Sequence, residues 1–130
     1  MQDFCAPLVC DDGTCTKDST LWKWQEHLLE ASVRVGRPLN TPPKYKQWME
    51  EIGLTNVKEE VYRWPTNAWP KGQHKILGAW QMVNVLEGLE AFTMALFTRV
   101  LGWSKEEIDV FLVDVRKDIQ NRNIHAYWKV

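Results

Sequence analysis

Several features common in proteins are scarce in this chain of 130 residues. Its seven glycines are scattered singly and no G-x-G occurs, so no glycine-rich loop lets a nucleotide-like ligand approach the backbone closely. No apolar run reaches the roughly 18 residues that a membrane span needs. Neither sign of charge is in excess. A net charge of -1 lacks the electrostatic footprint of a general nucleic-acid binder.

Cysteine is also scarce, with three residues spaced five apart at Cys5, Cys10 and Cys15. An odd number cannot close a disulfide framework, and the spacing matches no usual zinc or iron–sulfur pattern. We interpret them as unpaired thiols on an extended segment and predict no metal site. The turn from Asp11 to Gly13 lies within that segment, and an Asp-Gly pair between short extended stretches is typical of a hairpin.

Neither end of the sequence carries a targeting pattern. The first residues contain no basic region followed by an apolar stretch, and the last contain no lipidation or retention motif. These features favour an intracellular, cytoplasmic protein.

Apolar residues and tryptophan are abundant. Hydrophobic residues make up 45% of the chain, enough for the core of one domain or part of one. The eight tryptophans outnumber the three tyrosines and four phenylalanines combined. Because tryptophan covers a large area and keeps one N–H donor, it suits a core, an interface or an aromatic pocket.

Periodicity divides the chain into five parts that we treat as a single domain. Residues 1–20 are extended and turn-rich, and residues 21–54 form two helices. Residues 55–70 hold a strand from Asn56 to Trp64 and a proline loop, residues 75–122 form two helices, and residues 124–130 form a strand. The predicted class is α+β, mostly helical, with about four helices and two or three strands. So small a sheet is marginal alone, which predicts completion by a partner or a homodimer.

The best helix boundary lies at Ser104. This residue is predicted to cap a helix while Glu107 reaches back and Trp103 packs on Ile108, as in a capping box with a hydrophobic staple.

Two glutamates are candidate catalytic groups. Glu87 and Glu90 are three residues apart and share a face of a long helix, so burial of one would suit acid–base chemistry. The commoner alternative is that they lie on the solvent-exposed face of the helix or form an ion pair with Arg99 or a lysine. The three histidines are separated in sequence, and no Ser-His-Asp or Cys-His constellation can be assembled from them.

The tryptophans divide into three groups. Trp48, Trp103 and Trp128 lie on apolar stripes or in the staple and are predicted to be core residues. Of Trp22 and Trp24, one should face away from the core. The remaining three lie around the proline loop and the next helix: Trp64, Trp69 and Trp80. There they would line a pocket for an apolar substrate or form an exposed apolar surface.

Long stretches of the chain resemble one protein family. They are Gln2-Asp3-Phe4, Asp11-Asp12-Gly13-Thr14, Pro43-Lys44-Tyr45-Lys46, Glu51-Ile52-Gly53-Leu54, Trp64-Pro65-Thr66-Asn67-Ala68-Trp69-Pro70, Asn84-Val85-Leu86-Glu87-Gly88-Leu89-Glu90, Leu96-Phe97-Thr98-Arg99-Val100-Leu101-Gly102-Trp103-Ser104 and Ile124-His125-Ala126-Tyr127-Trp128. Together they resemble fungal class I S-adenosylmethionine-dependent methyltransferases, in the subgroup related to the velvet-associated regulator of secondary metabolism. The resemblance runs over essentially the whole chain.

The resemblance implies the C-terminal half of a Rossmann-like class I methyltransferase fold, from the end of the fifth strand to the start of the seventh. The family's cofactor-binding motifs, a glycine-rich turn and acidic residues after earlier strands, are absent here, so we expect no cofactor in this chain. Asp3 would then lie at the C-terminal edge of a strand, where open α/β sheets bind ligands. Asp3 and Phe4 are therefore candidate pocket residues, and a nuclear location is implied as an alternative.

Three functions follow as hypotheses. The favoured one is a truncated methyltransferase-like protein of fungal secondary metabolism that neither binds S-adenosylmethionine nor transfers methyl alone. A second is a cofactor-free enzyme that cyclises or isomerises a polyketide- or terpenoid-like intermediate. It would use Asp3, Glu87 and Glu90 as catalytic groups and an aromatic substrate pocket formed by Phe4, Trp22, Trp24, Trp69 and Trp80. The third is an interaction module that dimerises or completes a split enzyme with a separate N-terminal half.

Overall fold

Three short strands form one antiparallel sheet against which helices pack in the computed structural model, which describes residues 1–130. The predicted α+β class with four α-helices is confirmed. A 3-10 turn at Pro42–Lys44 leads into the second helix. In chain order the elements are β1 (Cys5–Cys10), α1 (Thr20–Arg34), α2 (Tyr45–Glu51), β2 (Arg63–Pro65), α3 (Gln73–Arg99), α4 (Lys105–Gln120) and β3 (Ala126–Lys129).

The last strand lies in the middle of the sheet. β3 pairs antiparallel with β1 on one side and β2 on the other, with Cys10 opposite Ala126 and Trp64 opposite Trp128. Since both outer strands oppose β3, they run parallel to each other. Their C-terminal ends therefore meet at one edge of the sheet, where β3 begins.

Two predictions about the strands need correction. The segment from Asn56 to Trp64 was expected to be a strand, but β2 spans only Arg63–Pro65. The hairpin at Asp11–Gly13 is also wrong, because β1 pairs with β3 and the turn leads into α1. The helix after this turn begins at a cap: the Ser19 side chain accepts a hydrogen bond from the Trp22 backbone N–H at the start of α1.

Neither outer strand presents an open row of backbone donors. The N–H of Ala6 donates to the Leu39 carbonyl at 2.9 Å, and the N–H of Leu8 donates to Oε1 of buried Gln25 at 2.9 Å. β2 is three residues long and ends on Pro65, which has no N–H. Pairing with another strand at these positions is therefore blocked by the chain itself.

The core lies where α1, α3 and α4 pack together and against the sheet. Trp24 of α1 is buried, and its indole N–H donates to Oγ1 of buried Thr93 on α3 at 2.9 Å. The buried apolar residues that pack together in one core cluster are Leu8, Cys15, Leu21, Trp24, Leu28, Leu89, Phe97, Ile108, Leu112, Val115, Ile119, Ile124, Ala126 and Trp128.

The helix start predicted at Ser104 is confirmed. Oγ of Ser104 accepts from the Glu107 N–H at 3.2 Å, and the Glu107 carboxylate accepts from the Ser104 N–H at 2.9 Å. These two bonds satisfy donors that the first turn of α4 leaves free.

The loop after β2 crosses α3 at very short range. A Cβ placed on Gly78 would lie 2.0 Å from the backbone oxygen of Asn67, so only glycine fits this crossing. Asn67 is fully buried, and its side-chain N–H₂ donates to the carbonyls of Ile119 and Asn121 at the end of α4. The loop thereby ties β2, α3 and α4 together.

Burial of the tryptophans agrees with the predictions of core residues and of one outward-facing tryptophan on α1, except at one position. Trp128 is a core residue, Trp103 is half-buried against the core, and of the pair on α1, Trp24 is buried and Trp22 half-exposed. Trp48 was expected in the core but is 45% exposed. The reason is that α2 buries none of its residues, so its apolar stripe has nothing to pack against.

Candidate functional site

Polar side chains converge at the edge of the sheet where β1 and β2 end and β3 begins. Asp12 and Thr14 follow β1, Trp69 follows β2, and His125 precedes β3. With Cys10, the last residue of β1, these residues make up the edge cluster. Its members come from three separate parts of the chain and meet because β1 and β2 run in the same direction.

Asp12 contacts Cys10, Thr14 and His125 in the edge cluster. Its Oδ1 accepts from Oγ1 of Thr14 at 2.7 Å, from the N–H of Thr14 at 3.1 Å and from Sγ of Cys10 at 3.3 Å. Its Oδ2 lies 2.5 Å from Nδ1 of His125. Oγ1 of Thr14 in turn accepts from the backbone N–H of His125 at 2.8 Å, so the loop after β1 holds the residue before β3 at two points.

These hydrogen bonds keep Asp12 ionised. The Thr14 side chain, then the His125 ring and the Thr14 backbone N–H, hold the pKa of Asp12 well below its ordinary value of 3.8. A carboxylate only accepts hydrogen bonds, so the His125 Nδ1 that faces it carries the proton. The lone pair of the neutral imidazole is therefore on Nε2, the nitrogen turned away from Asp12.

Trp69 forms a wall beside His125. The two ring centroids are 4.9 Å apart with planes tilted by 32°. The indole N–H of Trp69 donates to the Ala126 carbonyl at 2.9 Å, and the N–H and Oγ1 of Thr66 donate to the same oxygen. Three donors on one carbonyl hold the proline loop in place, so the position of Trp69 is fixed.

A second carboxylate lies beside the edge cluster. Asp11 accepts from the Tyr127 hydroxyl at 3.0 Å and lies 3.8 Å from the Arg63 guanidinium, which covers the Tyr127 ring at 5.1 Å. Burial, followed by the hydrogen bond to Asp11, raises the pKa of Tyr127. Asp11 is thus already engaged, in contrast to the free Nε2 of His125.

A groove of about 520 Å³ lies near the opposite end of β1, between the first residues, α2, the segment before β2 and the end of β3. The Tyr45 hydroxyl donates to Asp3 at 2.8 Å on its wall, and this bond raises the pKa of Tyr45. A neighbouring open groove of about 590 Å³ is lined by Asp3 and Phe4, together with α2 residues and the segment before α2. The grooves mix apolar walls with lysines and carboxylates.

Asp3 and Phe4 are therefore brought together on a groove, but not where the sequence suggested. Both precede β1 and so lie at its N-terminal end, whereas a C-terminal edge was expected. Phe4 packs edge-on against Trp64 and Trp128, with ring centroids 5.7 and 6.3 Å apart. The strand ends ten residues into the chain, and the residues at its C-terminal edge belong to the edge cluster.

The other candidate residues are dispersed. Glu87 and Glu90 are exposed on α3 and form no ion pair, so the burial that an acid–base role requires is absent. Trp24 is in the core and cannot line a pocket. Trp80 is 71% exposed on α3, and Trp22 donates to Glu26 on its own helix. None of these five residues lines either groove, so the structure assembles no single pocket of the kind that the cofactor-free hypothesis requires.

Sequence reasoning missed Asp12 and His125 as a pair. They are separated by 113 residues, and Asp12 was interpreted only as part of a turn. One sign was available: Asp11-Asp12-Gly13-Thr14 and Ile124-His125-Ala126-Tyr127-Trp128 both lie among the stretches that carry the family resemblance.

None of the helices combines the length and apolar character that crossing a membrane demands. No group of three or more His, Cys, Asp or Glu side chains is arranged so that it could hold a metal ion.

The chain is similar along its whole length to part of several fungal methyltransferases. It is 40% identical to the probable methyltransferase tdiE of Emericella nidulans over 100% of this chain and 41% of the relative. The methyltransferase pytC of Aspergillus terreus is 34% identical over 97% of this chain and 39% of its own length. No protein-family model and no solved structure matches.

The particular subgroup named from the sequence is also among the matches. The secondary metabolism regulator LAE1 of Cochliobolus heterostrophus is 38% identical over 91% of this chain and 39% of the regulator. The resemblance to fungal methyltransferases and regulators of secondary metabolism is therefore confirmed. The chain spans about two fifths of the length of these curated relatives.

Proposed function

We propose that these 130 residues are the substrate-side, C-terminal portion of a class I methyltransferase-like protein of fungal secondary metabolism, and that alone they neither bind S-adenosylmethionine nor transfer methyl. The observation that carries the proposal is similarity over the full chain to about two fifths of proteins named as methyltransferases.

The residues present do not fit the cofactor. Five glycines adopt positive φ, but each lies singly at a turn or helix boundary, and none is followed by the second glycine of a nucleotide-binding loop. The remaining two are helical, and the space beside Gly78 is filled by Asn67. No step of methyl transfer is therefore assigned to residues of this chain.

The surface area supports a role as part of a larger assembly. The chain exposes 8454 Å², whereas the size scaling of monomeric proteins gives about 7,100 Å² for 15.3 kDa. The excess of roughly 1,300 Å² exceeds the area of about 800 Å² that one partner contributes to a standard interface. Only 25 of the 130 residues are buried, which agrees with a surface meant to be covered.

A chimera tests the proposal. In tdiE, the segment that matches this chain is replaced by residues 1–130, and binding of S-adenosylmethionine is measured by isothermal titration. We expect binding within about tenfold of that of tdiE, because the cofactor-binding residues would come from the other portion. A chimera that is folded by circular dichroism but shows no binding would count against the proposal.

An interaction module is a second candidate, favoured by one observation. Ile76, Trp80 and Val83 lie at helical spacing on α3 and are 64%, 71% and 44% exposed, which leaves an apolar face uncovered. Trp80→Ser should lower self-association in light scattering without lowering the melting temperature, since Trp80 makes no core contact. A wild-type chain that stays monomeric at all concentrations would rule out the homodimer.

A further inference from the structure

We propose that the edge cluster is a proton-accepting ligand site, in which Nε2 of His125 takes the proton of an acidic aromatic O–H and Trp69 stacks against the ligand ring. The site lies at the opposite end of β1 from the groove of Asp3, and the inference is independent of the proposed methyltransferase role.

The arrangement of His125 carries the proposal. Nδ1 is fixed by Asp12 at 2.5 Å and the backbone N–H by Thr14 at 2.8 Å, so the ring cannot turn freely. No hydrogen bond to Nε2 is present, and the His125 side chain is 36% exposed. An imidazole oriented by a carboxylate, with its second nitrogen open, is the arrangement that general bases use.

The ligand class follows from the neighbours of His125. Trp69 stands 4.9 Å from the imidazole and has its own N–H occupied by Ala126, so it offers only its apolar ring. Flat aromatic ligands stack on such a ring. The ligand must also carry a proton that a neutral imidazole can accept, which a phenol with an electron-withdrawing substituent does and a plain hydrocarbon does not.

The proton transfer balances within the site. The ligand O–H bond breaks, the proton binds Nε2, and the electron pair stays on the ligand as a phenolate. His125 becomes an imidazolium whose Nδ1–H still donates to Asp12, so the pair stays hydrogen-bonded throughout. The other charged or titratable groups around it are Cys10 and Asp11 at the end of β1, Tyr127 on β3 and Arg63 on β2. Asp11 and Arg63 contact each other, which leaves Asp12 as the counter-ion of His125.

Side-chain nitrogen NMR and an optical probe test the site in the intact chain. The neutral form of His125 should be protonated on Nδ1, with His27 and His74 as internal references. Addition of 4-nitrophenol at neutral pH, where part of it is still protonated, should shift the His125 resonances toward the imidazolium and increase phenolate absorbance. Nitrobenzene, which has the same ring and no hydroxyl, should cause neither change.

Variants separate this role from simple surface binding. Asp12→Asn should weaken the 4-nitrophenol response at least tenfold, and Trp69→Ala should weaken both ring binding and the response. His74→Gln should leave them unchanged. The proposal is overturned if wild-type His125 is protonated on Nε2, if nitrobenzene shifts the same resonances equally, or if millimolar 4-nitrophenol shifts none. The tautomer measurement needs no variant, so a variant that fails to fold does not remove the test.

Discussion

Asp12 concentrates more hydrogen bonds than any other exposed side chain of the protein, and its environment predicts how stability responds to acid. Its pKa is lower in the folded state than in the unfolded state, mainly because of Thr14 and then His125. The stabilisation is therefore complete above the unfolded pKa of about 4 and is lost as pH falls through the folded pKa.

Asp12→Asn should accordingly lower the melting temperature at pH 7, while the gap to the wild type narrows as the pH falls below about 4. Thermal unfolding followed by circular dichroism across this range measures the gap. A gap of equal size in acid and at neutral pH would show that the charge on Asp12 does not stabilise the fold.

Alanine substitution of two glycines on α3 should change the free energy of unfolding in opposite directions. Gly78→Ala forces a Cβ to 2.0 Å from the Asn67 backbone oxygen, and we expect a loss of about 3 kcal/mol, as for overpacked sites. Gly88→Ala meets only the Phe92 ring, which is 67% exposed and can move, so helix propensity should add up to about 1 kcal/mol. Urea unfolding of both variants measures the two changes in unfolding free energy. Equal changes would contradict the close crossing of the loop and α3.

Residues whose role is set by distant neighbours were beyond sequence reasoning. Nothing local marks Gly78 as different from Gly88, because the clash arises from a loop eleven residues earlier that folds back onto the helix. His125 and Asp12 meet only once β3 enters the sheet between β1 and β2. Trp48 was misjudged for the same reason: its stripe is apolar, but no element covers it.

At the scale of elements, helix boundaries were predictable because their chemistry is local. Ser104 and Glu107 form the expected capping box at the start of α4, and Ser19 caps α1. Strand boundaries were harder to predict, because the extent of β2 is set by its pairing with β3 rather than by its own sequence. Tyr62 also exchanges hydrogen bonds with Val130, yet the residues from 55 to 61 remain irregular although Thr55, Val57 and Val61 are β-branched.

The capping box supplies a prediction for α4. Ser104→Ala removes the acceptor for the Glu107 N–H and should cost about 1 kcal/mol of unfolding free energy. Ser104→Asp keeps an acceptor at the helix N-terminus and should restore most of that loss. Chemical denaturation of the two variants measures the difference. If alanine and aspartate behave alike, the cap does not stabilise this helix.

For the whole molecule, the tryptophan excess now has a structural explanation. Trp24 and Trp128 are buried, while Trp48 and Trp80 are substantially exposed, and Trp69 stands at the edge cluster. The exposed pair contributes to a surface larger than a monomer of this mass usually shows. Full-length similarity to two fifths of the relatives accounts for that surface if another portion of a methyltransferase-like protein packs on this one.

Isothermal titration of the 130-residue chain with S-adenosylmethionine tests this account most directly. No glycine-rich loop is present, and the glycines with positive φ lie singly at turns, so we expect no saturable heat up to millimolar cofactor. Saturable binding with a micromolar Kd would contradict the account, because it would place the cofactor site within these residues.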